Sequence, residues 1–253
     1  MACPGNDTLR SYDEKSADTG RGRHSGYVFG VLMAIRRSVE RTPGITFDAA
    51  DVARRSLDVV VSTLLLLLLA IPMLLIALAV HAEDRGPALF RQKRVGLRGS
   101  AFTLFKYRTM LQGGDDRQHR DLIARELRGE DTIENGSSKL NNDSRVTRTG
   151  AFLRRTSLDE LPQLINVLRG EMTLVGPRPC LDWEAEMFPA RFAPRFSVTP
   201  GLTGLWQVSG RSTMGTLEML ELDVVYVRSR SLRSDLGILL RTVPALLRGS
   251  GAR

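Results

Sequence analysis

Two adjacent carboxylates, Asp159 and Glu160, stand inside a dense set of arginines. Arg145, Arg148, Arg154 and Arg155 precede them, and Arg169 and Arg178 follow. An ionised carboxylate can act as a nucleophile. Guanidinium groups match phosphate oxygens in charge and geometry. The combination suits an anionic phosphate substrate. It is equally what a solvated, charged face would look like.

The carboxylates need an element to aim them. Leu161, Leu164, Ile165 and Leu168 form an apolar stripe at helical spacing. Gly170 is a favoured stop residue. Pro162 is tolerated in a first helical turn, where its missing N–H costs no bond. With Asp159 as cap, both carboxylates fall at a helix N-terminus, where the macrodipole favours negative charge. The competing reading makes Ser157-Leu158-Asp159-Glu160 a plain capping box. That places Pro162 at the fifth helical position, where it removes a bond to the Leu158 carbonyl.

A second stretch bears on where such chemistry takes place. Residues 59–80, VVVSTLLLLLLAIPMLLIALAV, carry no charge. As one helix they would be roughly 33 Å long, enough to cross a bilayer. Six consecutive leucines leave no polar face for a soluble core helix. Pro72 must break or kink the run. The two arms it leaves are each too short to cross. Both flanks are basic: Arg41, Arg54 and Arg55 before, and Arg85, Arg91, Lys93, Arg94 and Arg98 after. The positive-inside rule puts both ends on the cytoplasmic side, which a re-entrant helix satisfies and a single span does not. Proline kinks also occur in true spans, so a span stays open.

The chain has 253 residues and a net charge of +8. A polyanion is the expected neighbour: nucleic acid, an anionic membrane surface or a phosphorylated substrate. No zinc finger, RNP motif or GxxG loop points to nucleic acid. Cys3 and Cys180 lack the spacing of a disulfide framework or zinc site. No P-loop and no strict D-x-D motif occurs, which weighs against a P-loop kinase and a soluble-type glycosyltransferase.

Residues 1–26 read as a disordered tail, and 27–35 as a short apolar segment suited to an interfacial helix or a loose terminal one. Residues 89–95 and 102–107 read as two strands of a hairpin around Gly96-Leu97-Arg98-Gly99. Lys106 and Arg108 emerge from the second. One helix is expected at 117–128. Residues 183–196 suit either a membrane-interface helix or core packing. Residues 217–248 read as an amphipathic helix with arginines along one face.

The run RRTSLDELPQLINVLRGEMTLVGPRP at 154–179 closely resembles the bacterial sugar transferase family, the monotopic phosphoglycosyl transferases. FRQKRVG at 90–96, FTLFKYRTM at 102–110, PGLTGLWQVSGR at 200–211 and LDVVYVRSRSLRSDLGILLRTV at 222–243 agree with it in order. The resemblance spans about 53–243. It implies transfer of a sugar 1-phosphate from a UDP-sugar to a polyprenyl phosphate at the bacterial inner membrane, releasing UMP, as the first membrane step of exopolysaccharide assembly. Asp159 and Glu160 would be the catalytic pair, with Asp159 as nucleophile, Glu160 assisting as acid or base, and both helping to place Mg²⁺. Lys106, Arg154, Arg178 and Arg211 match family positions near the phosphates and uridine. Arg108 joins them as a substrate-binding candidate. Pro72 would break the membrane helix, although Ile71 stands where many relatives have a small or polar residue.

The expected fold is mostly α with a short β-hairpin, an α+β class. The tail at 1–26 leads to an interfacial segment and linker at 27–52. A re-entrant membrane helix at 53–82 precedes a cytoplasmic catalytic domain at 83–253 with interfacial amphipathic helices. The expected partners are UDP-sugar, polyprenyl phosphate, membrane lipid and a second copy in a homodimer, and not nucleic acid. The alternative is a non-catalytic, membrane-anchored basic module that binds anionic lipid or nucleic acid.

Overall fold

The computed structural model describes residues 49–111, 117–130, 132, 145–210 and 214–247. The expectations for the tail, for 27–48 and for Arg211 lie outside the described residues.

The apolar run forms two helices, α1 (Ala49–Leu68) and α2 (Ala70–Asp84), bent by 64°. Pro72 has no N–H for the Leu68 carbonyl, so the i to i−4 ladder opens there. It resumes where Met73 N–H donates to the Leu69 carbonyl at 2.8 Å. The break therefore sits at Leu69, between the two helices and three residues before Pro72. Outward leucines are bare: Leu67 is 72% and Leu68 is 76% exposed. A contiguous apolar surface of this kind marks an interaction site or a membrane contact. No single described helix is long and apolar enough to cross a membrane, but the bent pair together passes by length and composition.

Pro72→Leu restores the missing N–H and should straighten the pair. Engineered cysteines at 53 and 83 test the consequence in whole cells. In the parent both should resist an impermeant thiol reagent until lysis. In Pro72→Leu one end should label. Labelling of one end in the parent would show a true span.

Strands β1 (Leu89–Val95) and β2 (Ala101–Tyr107) pair antiparallel from Leu89 opposite Tyr107 to Val95 opposite Ala101. This is the hairpin expected from the sequence. Alternation puts Leu104 and Lys106 on one face of β2. Leu104 sinks into the core, so Lys106 lies one step along toward the site.

After α3 (Arg117–Leu127), α4 (Arg148–Thr156) ends at Ser157, which adopts left-handed φ 57°. A 3-10 turn at Leu158–Glu160 leads into α5 (Gln163–Arg169), closed by Gly170 at φ 78°. Then follow β3 (Thr173–Val175), α6 (Asp182–Met187), a 3-10 segment Ala190–Ser197, β4 (Gly201–Thr203), α7 (Leu205–Ser209), α8 (Thr216–Ser229) and α9 (Leu232–Leu247). The short β3 and β4 pair in parallel, Thr173 with Gly201 and Val175 with Thr203. The helical, hairpin-bearing α+β fold is as expected; the parallel pair is additional.

One expectation is corrected and one open alternative is decided. The C-terminal stretch is two helices, parted at Arg230 and Ser231. In 183–196, Phe192, Arg195 and Phe196 are buried, so core packing wins over a membrane-interface helix there. Leu104, Leu164, Val167, Leu174 and Tyr226 centre the main core, and Val61, Leu65 and Leu66 of α1 pack against it.

Candidate active site

Neither expected cap forms at the carboxylates. Ser157 closes α4 rather than opening a helix, and Pro162 is the N-cap of α5. The physical reason is Pro162 itself. With no N–H to offer Leu158, the Leu158 carbonyl accepts from Leu161 N–H instead, at 3.3 Å, and the chain tightens into a 3-10 turn. Asp159 and Glu160 sit in that turn, ahead of a seven-residue helix. Their environment is therefore set by neighbouring cations and burial rather than by a helix dipole.

Those cations come from two other elements. Lys106 Nζ at the end of β2 lies 2.8 Å from Glu160 Oε1 and 3.9 Å from Asp159 Oδ2. Arg178 donates from both terminal nitrogens to Glu160 Oε1 at 3.2 Å. Burial alone would raise the Glu160 carboxyl, but the Lys106 and Arg178 charges and their hydrogen bonds outweigh it and hold Glu160 well below the usual glutamate range. Asp159 is 8% exposed. Burial raises its carboxyl above the ordinary aspartate value; Lys106 opposes this and the Glu160 charge adds to it. The pair is thus split. Glu160 is locked in ion pairs as an anion, whereas among the described residues Asp159 has only the longer Lys106 ion pair, with the Arg178 and Arg154 charges acting from farther off, and its carboxyl stays above the ordinary aspartate value.

Arg178 is held by its backbone. Thr203 O accepts from Gly176 N–H at 2.9 Å, and Pro177 O accepts from Gly201 N–H at 2.8 Å. A Cβ on Gly201 would strike the Gly176 backbone, so the close approach of the two loops requires glycine there. Arg195 Nη2 donates to the Arg178 carbonyl at 2.8 Å. Arg195 in turn pairs with Asp223 at 2.9 Å, both side chains being at most 2% exposed.

Of the other expected site residues, Arg154 on α4 is near enough for its charge to lower the Asp159 carboxyl. Arg108 is buried and paired with Asp84 at the end of α2. That contact ties the hairpin to the apolar pair. Pro72 is at the bend.

A cavity of about 160 Å³ borders Arg178, walled by Arg94, Glu184, Phe188, Trp206 and Met219 among others. Nε of Arg94 and Nε1 of Trp206 are buried without a partner. Burial lowers the Arg94 pKa, opposed first by the Glu184 charge. Unmade bonds of buried donors are rare and costly, and here both call for acceptor oxygens. Sequence reading missed Arg94, Glu184, Trp206, Arg195 and Asp223 as parts of the site. The Arg94 and Trp206 motifs were visible, but nothing local shows that residues 94, 178 and 206 share one cavity.

Among the described residues, no group of three or more His, Cys, Asp or Glu side chains could hold a metal ion. Two adjacent carboxylates, both reached by Lys106 Nζ, are the donors available; a hard cation such as Mg²⁺ held by them would need phosphate oxygens and water to complete its shell. The two carboxylates do not fit a metal held by protein alone.

The chain is similar to known proteins along most of its length. The bacterial sugar transferase family model matches residues 49–249. The chain is 40% identical over 212 residues to the exopolysaccharide production protein ExoY of Rhizobium meliloti, covering 83% of this chain and 92% of that one. It is 46% identical over 209 residues to a UDP-glucose:undecaprenyl-phosphate glucose-1-phosphate transferase of Caulobacter vibrioides, covering 79% and 71%. It is 38% identical over 203 residues to an undecaprenyl-phosphate galactose phosphotransferase of Salmonella typhimurium, covering 79% of this chain and 41% of that one.

Proposed function

This chain belongs to the bacterial sugar transferase family, and from that premise we propose that it moves a sugar 1-phosphate from a UDP-sugar to a polyprenyl phosphate. The products would be polyprenyl-diphosphate-sugar and UMP. The relatives named as undecaprenyl-phosphate transferases support the reaction class, and the ExoY relatives support a place in exopolysaccharide production. The observation that carries the assignment to a site is the split carboxylate pair, with Asp159 and Glu160 facing Lys106 and Arg178 beside a cavity.

In this reading Asp159 attacks the β-phosphorus of the UDP-sugar. A carboxylate oxygen–phosphorus bond forms, the bond from that phosphorus to the bridging oxygen breaks, and UMP leaves with the bridging oxygen. An oxygen of the polyprenyl phosphate then attacks the same phosphorus and displaces Asp159. Arg178 and Lys106 hold charge that builds on the phosphoryl oxygens. Glu160 fixes both cations in place and remains ionised throughout. Mg²⁺ on Asp159, Glu160 and the pyrophosphate would offset negative charge. The cavity beside Arg178 takes a non-phosphate part of the donor, whose oxygens satisfy Arg94 and Trp206. The bent helix pair enters the inner membrane and returns, leaving the catalytic domain on the cytoplasmic face.

Purified protein given UDP-glucose, UDP-galactose and related donors tests the reading. UMP should be released in a burst no larger than the enzyme present, and continuous release should need polyprenyl phosphate. Binding of donor with no UMP under any condition would leave the non-catalytic alternative. Arg178→Lys should weaken donor binding or its transition state by about 1.5–3 kcal/mol, because the planar fork shared with Glu160 is lost. Unchanged kcat and KM for the donor would remove Arg178 from the site.

A further inference from the structure

The face of α1 turned to the core is polar where the apolar run begins. Arg55 Nη1 and Nη2 each donate at 2.6 Å, to the carbonyls of Val167 and Leu168 in the last turn of α5. These are carbonyls that a helix leaves without a partner of its own. One turn on, Asp58 is 5% exposed. Its Oδ1 accepts from Leu174 N–H and its Oδ2 from Thr173 Oγ1, both at 2.8 Å. Arg54 Nε donates to Asp235 Oδ2 of α9 at 2.8 Å. The uncharged stretch starts at the next residue, Val59.

The contacts continue to the site. Asn166 of α5, fully buried, accepts from Phe105 N–H at 3.1 Å and donates to Thr103 O at 2.7 Å. Phe105 precedes Lys106, and α5 directly follows the turn that carries Asp159 and Glu160. Hydrogen bonds, joined by the backbone of α5 and β2, thus connect the edge of the apolar pair to both sides of the site.

We infer that Arg55 and Asp58 are positioning residues that set the catalytic turn at the depth where a membrane-held acceptor presents its phosphate. The inference rests on the proposed transfer to polyprenyl phosphate. The donor arrives from water and does not depend on that depth. The acceptor phosphate is confined to the interface and does. A misplacement of about 1 Å can cost roughly 100-fold in rate.

The test compares wild type, Asp58→Asn and Arg55→Lys, as full chains in phospholipid nanodiscs. Each is assayed with undecaprenyl phosphate in the bilayer and with a short, water-soluble prenyl phosphate. Asp58→Asn sets an amide N–H against one of two donors. Arg55→Lys keeps the charge but cannot span two carbonyls. The expected result is a fall of roughly 10- to 100-fold in kcat/KM for the bilayer acceptor, with unchanged KM for the UDP-sugar and unchanged transfer to the soluble acceptor. Equal losses on both acceptors, or none on either, would overturn the inference and make the pair a plain packing contact. If Asp58→Asn does not fold, Arg55→Lys decides by the same comparison. Wild type that transfers to neither acceptor would sink the reaction reading, and this inference with it.

Discussion

Asp159→Asn should abolish sugar-phosphate transfer, by about 10⁴-fold or more, the scale on which a lost covalent nucleophile acts. The amide keeps the shape of the side chain but has no anionic oxygen to attack phosphorus. The fold should survive, because Lys106 keeps its 2.8 Å contact to Glu160. The melting temperature should stay near wild type while both UMP burst and turnover vanish. A pH profile gives an independent reading. Burial sets the Asp159 carboxyl above the ordinary aspartate value of about 3.9. Its protonated form cannot attack, so activity should rise with pH through that elevated value. Glu160 is held ionised below this range and adds no limb of its own. A donor half-reaction whose acid limb sits at or below about 3.9 would contradict the split.

The largest stability loss is expected from Asp223→Ala. Arg195 and Asp223 form a bond pair at 2.9 and 3.1 Å deep in the chain, 28 residues apart. Removing one partner leaves a buried guanidinium uncompensated, which costs about 3–5 kcal/mol. For a chain of this size that lowers the melting temperature by roughly 6–20 °C. The Arg178 carbonyl contact and the rings of Phe188 and Phe196 would retain part of the Arg195 interaction. An apolar replacement of both partners, Arg195→Met with Asp223→Leu, should recover much of the loss, since well-packed apolar groups often replace a buried pair at little cost. If the single change is as stable as wild type, the pair is not closed in solution. Because Arg195 also holds the Arg178 backbone, the double variant should recover stability but not full donor affinity.

Much of this architecture was legible from local pattern. The hairpin followed from two short β-rich runs around Gly96 and Gly99, and the broken apolar pair from Pro72 alone. Gly170 ended its helix as expected. The turn at the carboxylates was not legible. Besides Pro162, it depends on Ser157 taking a left-handed conformation that costs an L-residue roughly 1–2 kcal/mol, which no local pattern announces. The stripe on α5 was legible in part: Leu164 is buried in the core and Leu161 packs on it, while Ile165 and Leu168 are only half-buried. Gln163 and Asn166 are buried there beside Leu164 and Val167, because Asn166 bonds β2 and so repays its desolvation. Polar residues that bond across the chain, such as Arg55, Asp58 and Arg195, look like solvated charge until their partners are known. The acidic pair and the arginine-rich motifs pointed to the proposed chemistry, and the resemblance pointed to Asp159 as nucleophile; what the structure adds is which cation reaches which carboxylate.

In the proposed reaction Asp159 carries the sugar phosphate between donor and acceptor. Intact-protein mass spectrometry after incubation with UDP-sugar and Mg²⁺, without polyprenyl phosphate, tests it most directly. Wild type should gain the mass of one sugar phosphate, located on Asp159 by peptide mapping and discharged when polyprenyl phosphate is added, while Asp159→Asn gains nothing. An unmodified wild type that still forms product once both substrates are present would contradict it, making the transfer direct and Asp159 a metal ligand or a structural acid.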